Sequence, residues 1–423
     1  MTNAAKEEQM EYDERIQTKE GLKNLINQQQ KVILYGEKSL AVILLRFCLS
    51  IDEGEKVRGL AFTQTKSEHI AFDEFVVKPI EEYLITEDSQ IIILGRDEEA
   101  CHLLRERAAG WNGQQICYID YGLIAELSWE DNVKLDFLCV GFTKCGTTSL
   151  YWALRKNKQI YMPKEKEILY GKWKEQYIDA PERFREMYFS GVSKKKKLGC
   201  IEPTYFRRAN FVYESFGNTP KVLFMLRNPA DATYSYFKMK MRRSDDPIHR
   251  MYFKKYRKYT PEMFKEYLED DIFSGKDRRF SYDIWLKEYL KYFDRESIKI
   301  IFFEEIIREP QRILSEIQEF IGVEPVKGLE LPHSNTGKKV SKNYFCARVN
   351  GKLHKKSLKY KESGTEKQRK RFRKIRNFIW KYTLIDNDEK ISMEEKTILM
   401  EYYHNSIQEI EKIEGRSLKG VWY

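Results

Sequence analysis

The sequence predicts two successive α/β units, each built on a parallel sheet. Three observations predict it. Short apolar runs alternate with stretches of helical periodicity in two separate series. The 423 residues exceed one ordinary domain. Hydrophobic residues make up 42% and aromatics 14%, which supplies sizeable cores and excludes global disorder.

Taken in order, residues 1–30 are charged and amide-rich and read as a helical or loose lead-in. Residues 31–35 (KVILY) read as a strand, and Leu40, Ile43, Leu44, Phe47 and Ile51 follow at helical spacing. Residues 57–62, 90–94 and 115–119 read as further strands, with a helix over 102–108. This alternation predicts a small α/β domain over 31–126, similar to the Rossmann-like domains fused to many sugar-modifying enzymes. Its first strand runs into Gly36-Glu37-Lys38-Ser39 and lacks the GxGxxG glycines that let a pyrophosphate approach the backbone. A structural or partner-binding role is therefore expected of it. Residues 127–134 (LSWEDNVK) read as a linker.

The second series occupies 135–423. Residues 135–142 are a strand and 146–155 a helix; 221–227 are a strand feeding a helix over 231–240. Tyr282, Trp285, Leu286, Tyr289, Leu290 and Phe293 form an apolar helical stripe before a strand at 298–303. Leu399, Tyr403, Ile407 and Ile410 stripe a final helix. No internal repeat is visible, and the lysine run 194–197 reads as a solvated loop.

Formal charge is +10, which suits anionic partners such as nucleotides, acidic sugars or nucleic acid. The seven cysteines are scattered, without CxxC pairs or zinc spacing, and predict reduced thiols in a cytoplasmic protein with no metal site. The polar N-terminus is not a signal peptide, and no apolar stretch approaches the roughly 20 residues that span a bilayer.

The informative stretch is LDFLCVGFTKCGTTSLYWAL, residues 135–154. A buried strand ends at Gly141 and a helix begins near Gly146. Free N–H groups and the helix dipole there make an anion cradle. Gly141 and Gly146 keep the spacing of a P-loop, but Thr147 stands where the Walker lysine would be. The only lysine of the loop is Lys144, and no obvious Walker B carboxylate follows a strand. The loop is suited to a phosphate without being equipped as a nucleoside triphosphatase.

Lys144-Cys145-Gly146-Thr147-Thr148-Ser149-Leu150 resembles the 5′-phosphosulfate loop, K-x-G-T-T-x-L, of the sulfotransferase superfamily. The resemblance covers 135–423 and implies a P-loop-like sulfotransferase domain, a central parallel sheet flanked by helices. It implies 3′-phosphoadenosine-5′-phosphosulfate (PAPS) as donor, 3′-phosphoadenosine-5′-phosphate as product, and no metal. Lys144 would stabilise the leaving phosphate, and Cys145, Gly146, Thr147, Thr148 and Ser149 would hold the 5′-phosphate through N–H and hydroxyl groups.

A second strand ends in Arg227, Asn228-Pro229 turns the chain, and Ser235 lies eight residues on, in the next helix. An arginine and a hydroxyl so placed can converge on one phosphate. This resembles the family's 3′-phosphate motif and implies that Arg227 and Ser235 bind that group. Lys338, in the basic loop 333–339, is the candidate for closing over the nucleotide; a solvated loop is the other reading.

Transfer also needs a base to take the acceptor proton. None of the six histidines lies between the two motifs, whereas glycan-modifying relatives use a glutamate soon after the donor loop. In IYMPKEKEILYG (160–171), Glu167 fits that frame best, although Gly171 replaces the second aromatic; Glu165 is the fallback. Lys166 would help keep the carboxylate ionised. Residues 199–206 (GCIEPTYF) resemble the family's acceptor-side segment, with Cys200 in place of its acid and Glu202 in place of its hydroxyl; Glu202 would position the acceptor or stand behind it. Gly415-Arg416-Ser417-Leu418 followed by Trp422 resembles bacterial members.

The expected function is transfer of a sulfuryl group to a hydroxyl or amine, on a carbohydrate or glycoconjugate. Nucleic acid is not an expected partner. The basic stretches 238–258 and 352–376 read either as solvated faces or as a groove for an acidic polysaccharide or lipid-linked glycan, with Tyr234, Tyr236 and Tyr252 stacking on sugars. Two rivals stand beside this: a P-loop kinase, and a non-catalytic polyanion-binding protein.

Overall fold

A computed structural model describes residues 15–63, 70–72, 75–83, 89–108, 116–131, 134–168, 170–171, 179–244, 246–332, 339–363 and 365–423. The chain divides into two compact units. The first comprises Met1–Lys134 with Tyr170–Ser190 and Phe211–Gly217, and the second the remainder.

The first unit is a seven-stranded sheet. In chain order its elements are β1 (Arg15–Ile16), α1 (Lys19–Gln28), β2 (Lys31–Gly36), α2 (Lys38–Ser50), β3 (Val57–Phe62), β4 (Ile70–Phe72) and β5 (Phe75–Val77). There follow β6 (Ser89–Leu94), α3 (Glu98–Arg107), β7 (Ile116–Ile119) and α4 (Tyr121–Asp131). The strand order is β1-β7-β6-β2-β3-β5-β4, parallel except for β4 against β5. Strand β2 is buried on both faces: Val32 and Leu34 join the core under α1, α2 and α4, while Ile33 and Tyr35 join the one that includes Cys101 and Leu104 of α3.

Of the two readings of the lead-in, residues 19–28 take the helical one: α1 is capped by the Thr18 hydroxyl, with Leu22, Leu25 and Ile26 buried. The expected linker is largely the end of α4, because Leu127 continues the buried stripe of Leu123 and Ile124 past the domain edge read from composition.

Gly36 ends β2 where a Cβ would overlap the Leu94 carbonyl oxygen of the neighbouring strand, so this glycine serves a backbone crossing. Beyond it the sheet's carboxyl edge is filled by side chains. Glu214, 1% exposed, takes 2.7 Å and 3.0 Å hydrogen bonds from Arg96 and Tyr121. Arg96 also reaches Ser39 at 3.0 Å and pairs with Glu37.

The second unit has a five-stranded, fully parallel sheet of order β12-β11-β8-β10-β9. The strands are β8 (Phe137–Gly141), β9 (Ile160–Tyr161), β10 (Lys197–Ile201), β11 (Lys221–Leu226) and β12 (Ile298–Phe302). Helices used below are α5 (Thr147–Leu154), α6 (Pro229–Arg243), α7 (Tyr282–Leu290), α8 (Phe303–Arg308), α9 (Tyr344–Ser363), α10 (Glu366–Thr383), α11 (Met393–Tyr402) and α12 (His404–Glu414). An antiparallel pair, β13 (Lys339–Ser341) with β14 (Leu384–Asp386), closes the base of the α9–α10 hairpin. The predicted final helix is α11 and α12, broken at Tyr403; Leu399, Tyr403, Ile407 and Ile410 are all buried.

Register positions the site. Phe224 of β11 lies opposite Gly141 of β8, and Leu226 lies opposite Phe302 of β12. The three strands therefore end side by side, and the chain departs from β8 toward β10 on one side while β11 lies on the other. In open parallel sheets this carboxyl-end crevice is where ligands bind.

Candidate functional site

A cavity of about 530 Å³ opens at that edge. Lys144, Gly146, Thr147, Thr148, Ser149, Glu167, Arg227 and Ser235, all singled out in the sequence, line it together. Lys338 lies outside the described residues.

The loop after β8 is shaped by Gly146, whose φ is +91°. A Cβ there would stand 2.6 Å from the Phe303 ring, so both conformation and space demand glycine. The first intrahelical bond runs from Ser149 N to Gly146 O at 2.9 Å, leaving the amides of the helix start at the cavity. Cys145 turns the other way. Its thiol is buried against the Tyr282 hydroxyl at 3.6 Å, and burial pushes it up to about 12, so only its backbone is suited to an anion. The Ser149 hydroxyl donates to Pro332 O at 2.8 Å.

Arg227 reaches across from the end of β11. Its Nη1 donates to the Lys144 carbonyl at 3.4 Å, and its guanidinium lies 5.1 Å from the Phe303 ring centre. The turn beneath it is tightly built. Asn228 caps α6 by accepting from Ala230 N and Asp231 N, and its amide side chain donates to Trp422 O at 3.0 Å. Glu304 of α8 accepts from Asn228 N and from Trp422 Nε1, both at 2.9 Å, and burial raises its pKa. Arg416 holds the neighbouring Glu305 through two bonds of 2.6 and 2.9 Å.

Lys144 and Glu167 share an unusual backbone. Both are non-glycine residues at positive φ, +76° and +63°, a conformation that costs free energy and concentrates at functional sites. Burial, then the positive charges of Arg242, Arg243 and Arg227, lower the Lys144 ammonium to about 7. Glu167 accepts a 2.8 Å bond from Lys166, and its amide donates to Ile201 O at 3.3 Å. Glu165 instead pairs with Arg369 at 3.2 Å and does not line the cavity. Glu202 is buried beside β8, its amide donating to Cys139 O at 2.8 Å, and is also absent from the cavity wall.

The lining is strongly cationic. Besides Lys144, Lys166 and Arg227, it includes Lys240, Arg242, Arg243 and Arg279, against one carboxylate, Glu167, among the described residues. Burial, then Arg243 and Arg376, lower Arg242 to about 10. Phe303, Ile307 and Leu331 add an apolar wall. Arg279, His354 and this wall were not picked out from the sequence: they come from separate elements and carry no local motif. Of the tyrosines expected to stack on sugars, Tyr236 lines the cavity. Tyr252 is buried and donates to Asp270, Tyr234 donates to Glu389 O, and the Tyr236 ring is covered by the Arg279 guanidinium at 4.0 Å.

The family described as Sulfotransferase domain matches residues 134–408. The chain belongs to the sulfotransferases. This sulfotransferase is similar to a solved sulfotransferase from Alicyclobacillus acidocaldarius, with 19% identity and a TM-score of 0.43, covering 68% of this chain and 98% of that one. The sulfotransferase domain of the Synechococcus PCC 7002 olefin synthase matches at 12% identity and TM-score 0.31, covering 49% and 79%. A mouse sulfotransferase solved with PAP matches at 16% and 0.30, covering 46% and 61%. No curated protein matches the chain. Among the described residues, no helix of this sulfotransferase is long and apolar enough to cross a membrane.

Proposed function

We propose that this sulfotransferase moves the sulfuryl group of PAPS to a hydroxyl or amine of a carbohydrate or glycoconjugate. The observation that carries the reading is the meeting of two anion-binding turns, through Arg227 and the Lys144 carbonyl, on one cationic cavity. The helix-start amides and Lys144 would take the 5′-phosphosulfate, Arg227 and Ser235 the 3′-phosphate, and Phe303 and Ile307 the base. The cavity volume falls within the range of about 300–1,000 Å³ usual for small-molecule sites.

In the reaction, Glu167 takes the proton of the acceptor hydroxyl as its oxygen bonds to sulfur. The bond from sulfur to the bridging phosphate oxygen breaks, and its electron pair passes to the nucleotide. Lys144, as ammonium, stabilises the charge that builds there. Glu165 is held by Arg369, which leaves Glu167 as the carboxylate facing the cavity.

The test is calorimetry with 3′-phosphoadenosine-5′-phosphate against adenosine 5′-phosphate, then transfer from labelled donor to oligosaccharides, glycolipids and phenols. Binding that depends on the 3′-phosphate is expected. Glu167→Gln is expected to lower turnover by about 10²–10⁴-fold while leaving nucleotide affinity unchanged. Full turnover by that variant removes Glu167 from its role; Mg²⁺-dependent ATP consumption without sulfuryl transfer would favour the kinase.

A further inference from the structure

Residues 344–383 contain fourteen lysines and arginines against two acids, Glu362 and Glu366, so their formal charge of +12 exceeds the +10 of the whole chain. These residues are the α9–α10 hairpin. It is held together through Phe372, which is buried with its ring 5.1 Å from Tyr360. On the other side of α10, Arg371, Lys374, Ile375, Phe378, Lys381 and Tyr382 are all exposed. Ile375, Phe378 and Tyr382 are 47%, 60% and 68% exposed, and Ile385 of β14 extends the line.

Single exposed apolar residues are ordinary. Here they recur at spacings of three and four along one helix face, interleaved with cations, which is the pattern of a helix lying in a membrane interface. We infer that this face of α10 docks on an anionic lipid bilayer. The lysines and arginines supply the attraction to acidic headgroups, and Ile375, Phe378 and Tyr382 enter the headgroup boundary. A second copy of the chain would meet this face with like charge. An acidic polysaccharide would satisfy the cations but leave Ile375 and Phe378 in water. His354, on α9 of the same hairpin, lines the cavity. A lipid-borne acceptor is the matching substrate class, and that consequence alone rests on the sulfuryl-transfer reading.

The experiment is co-sedimentation of the full chain with vesicles of phosphatidylcholine alone or mixed with phosphatidylglycerol. Binding only to the mixed vesicles, weakening as salt shortens the Debye length, is expected. Combined Ile375→Ser, Phe378→Ser and Tyr382→Ser should weaken it by about tenfold or more. Combined Arg371→Glu, Lys374→Glu and Lys381→Glu should weaken it by at least about tenfold. Unchanged melting of these variants shows that their fold is intact. The proposal is overturned by absence of vesicle binding, whether a sulfated oligosaccharide binds instead or the chain self-associates through this face. It is also overturned if the serine variant binds vesicles as tightly as the parent. Vesicle binding without bisphosphate binding would uphold the docking face and sink the nucleotide reading.

Discussion

On the proposed reading, Lys144 links nucleotide binding to pH. In the free protein its ammonium is lowered to about 7 by burial and by Arg242, Arg243 and Arg227, against about 10.4 for an unperturbed lysine. A bound bisphosphate adds negative charge and restores the protonated form. Below pH 7 Lys144 already carries its proton, and binding takes up none there. Above pH 7 the free side chain is neutral, and each binding event takes up a proton until the pH reaches the raised pKa of the complex. Affinity therefore falls by about tenfold per unit from pH 7 upward, so at pH 9 it is about 100-fold weaker, or roughly 2.7 kcal/mol. The second ionisation of a phosphate ester, near pKa of about 6, lies below this window. Calorimetry of 3′-phosphoadenosine-5′-phosphate in two buffers of different protonation enthalpy measures the uptake directly. Close to one proton per site is expected at pH 8 to 9, and Lys144→Met should bind more weakly at pH 7 with no slope. A flat wild-type profile, or a methionine variant that keeps the slope, refutes the reasoning.

Arg227→Met should weaken the bisphosphate by about 10–100-fold, the cost of losing hydrogen bonds from a charged group. Adenosine 5′-phosphosulfate, which lacks the 3′-phosphate, should be little affected; equal losses for both would remove Arg227 from the 3′-phosphate. Gly146→Ala combines a φ of +91° with a Cβ 2.6 Å from Phe303 and should destabilise the fold by roughly 1–3 kcal/mol. An unchanged melting temperature would contradict that. In the first unit, Glu214→Ala leaves Arg96 without its buried partner and should cost roughly 3 kcal/mol in urea unfolding. Glu37→Ala, whose side chain is 35% exposed, should cost less than about 1 kcal/mol. Similar losses from the two would show that burial does not set the strength of these contacts.

The Lys144 loop and the Arg227 turn were legible because each is contiguous: strand end, turn and helix start lie within a few residues. Their meeting was expected only through the family resemblance, since physically it depends on the register that sets Phe224 opposite Gly141. For α1 the charged and amide residues left helical and loose readings open, and only three positions, Leu22, Leu25 and Ile26, carry its buried face. The end of α4 was hidden because Ser128, Trp129, Glu130 and Asp131 look like linker while Leu127 still belongs to the core. Arg279 and His354 reach the cavity from elements remote in the chain, so nothing beside them marks the site. The basic hairpin was visible as charge alone; the alignment of Ile375, Phe378 and Tyr382 emerged only with α10 in place.

The strut from Asn228 to Trp422 spans 194 residues of chain. Ribosomes work from the amino end, so a nascent chain displays Lys144 and Arg227 long before it owns the residue that braces the Asn228 turn. The turn after β11 is therefore completed only once Trp422 has been made.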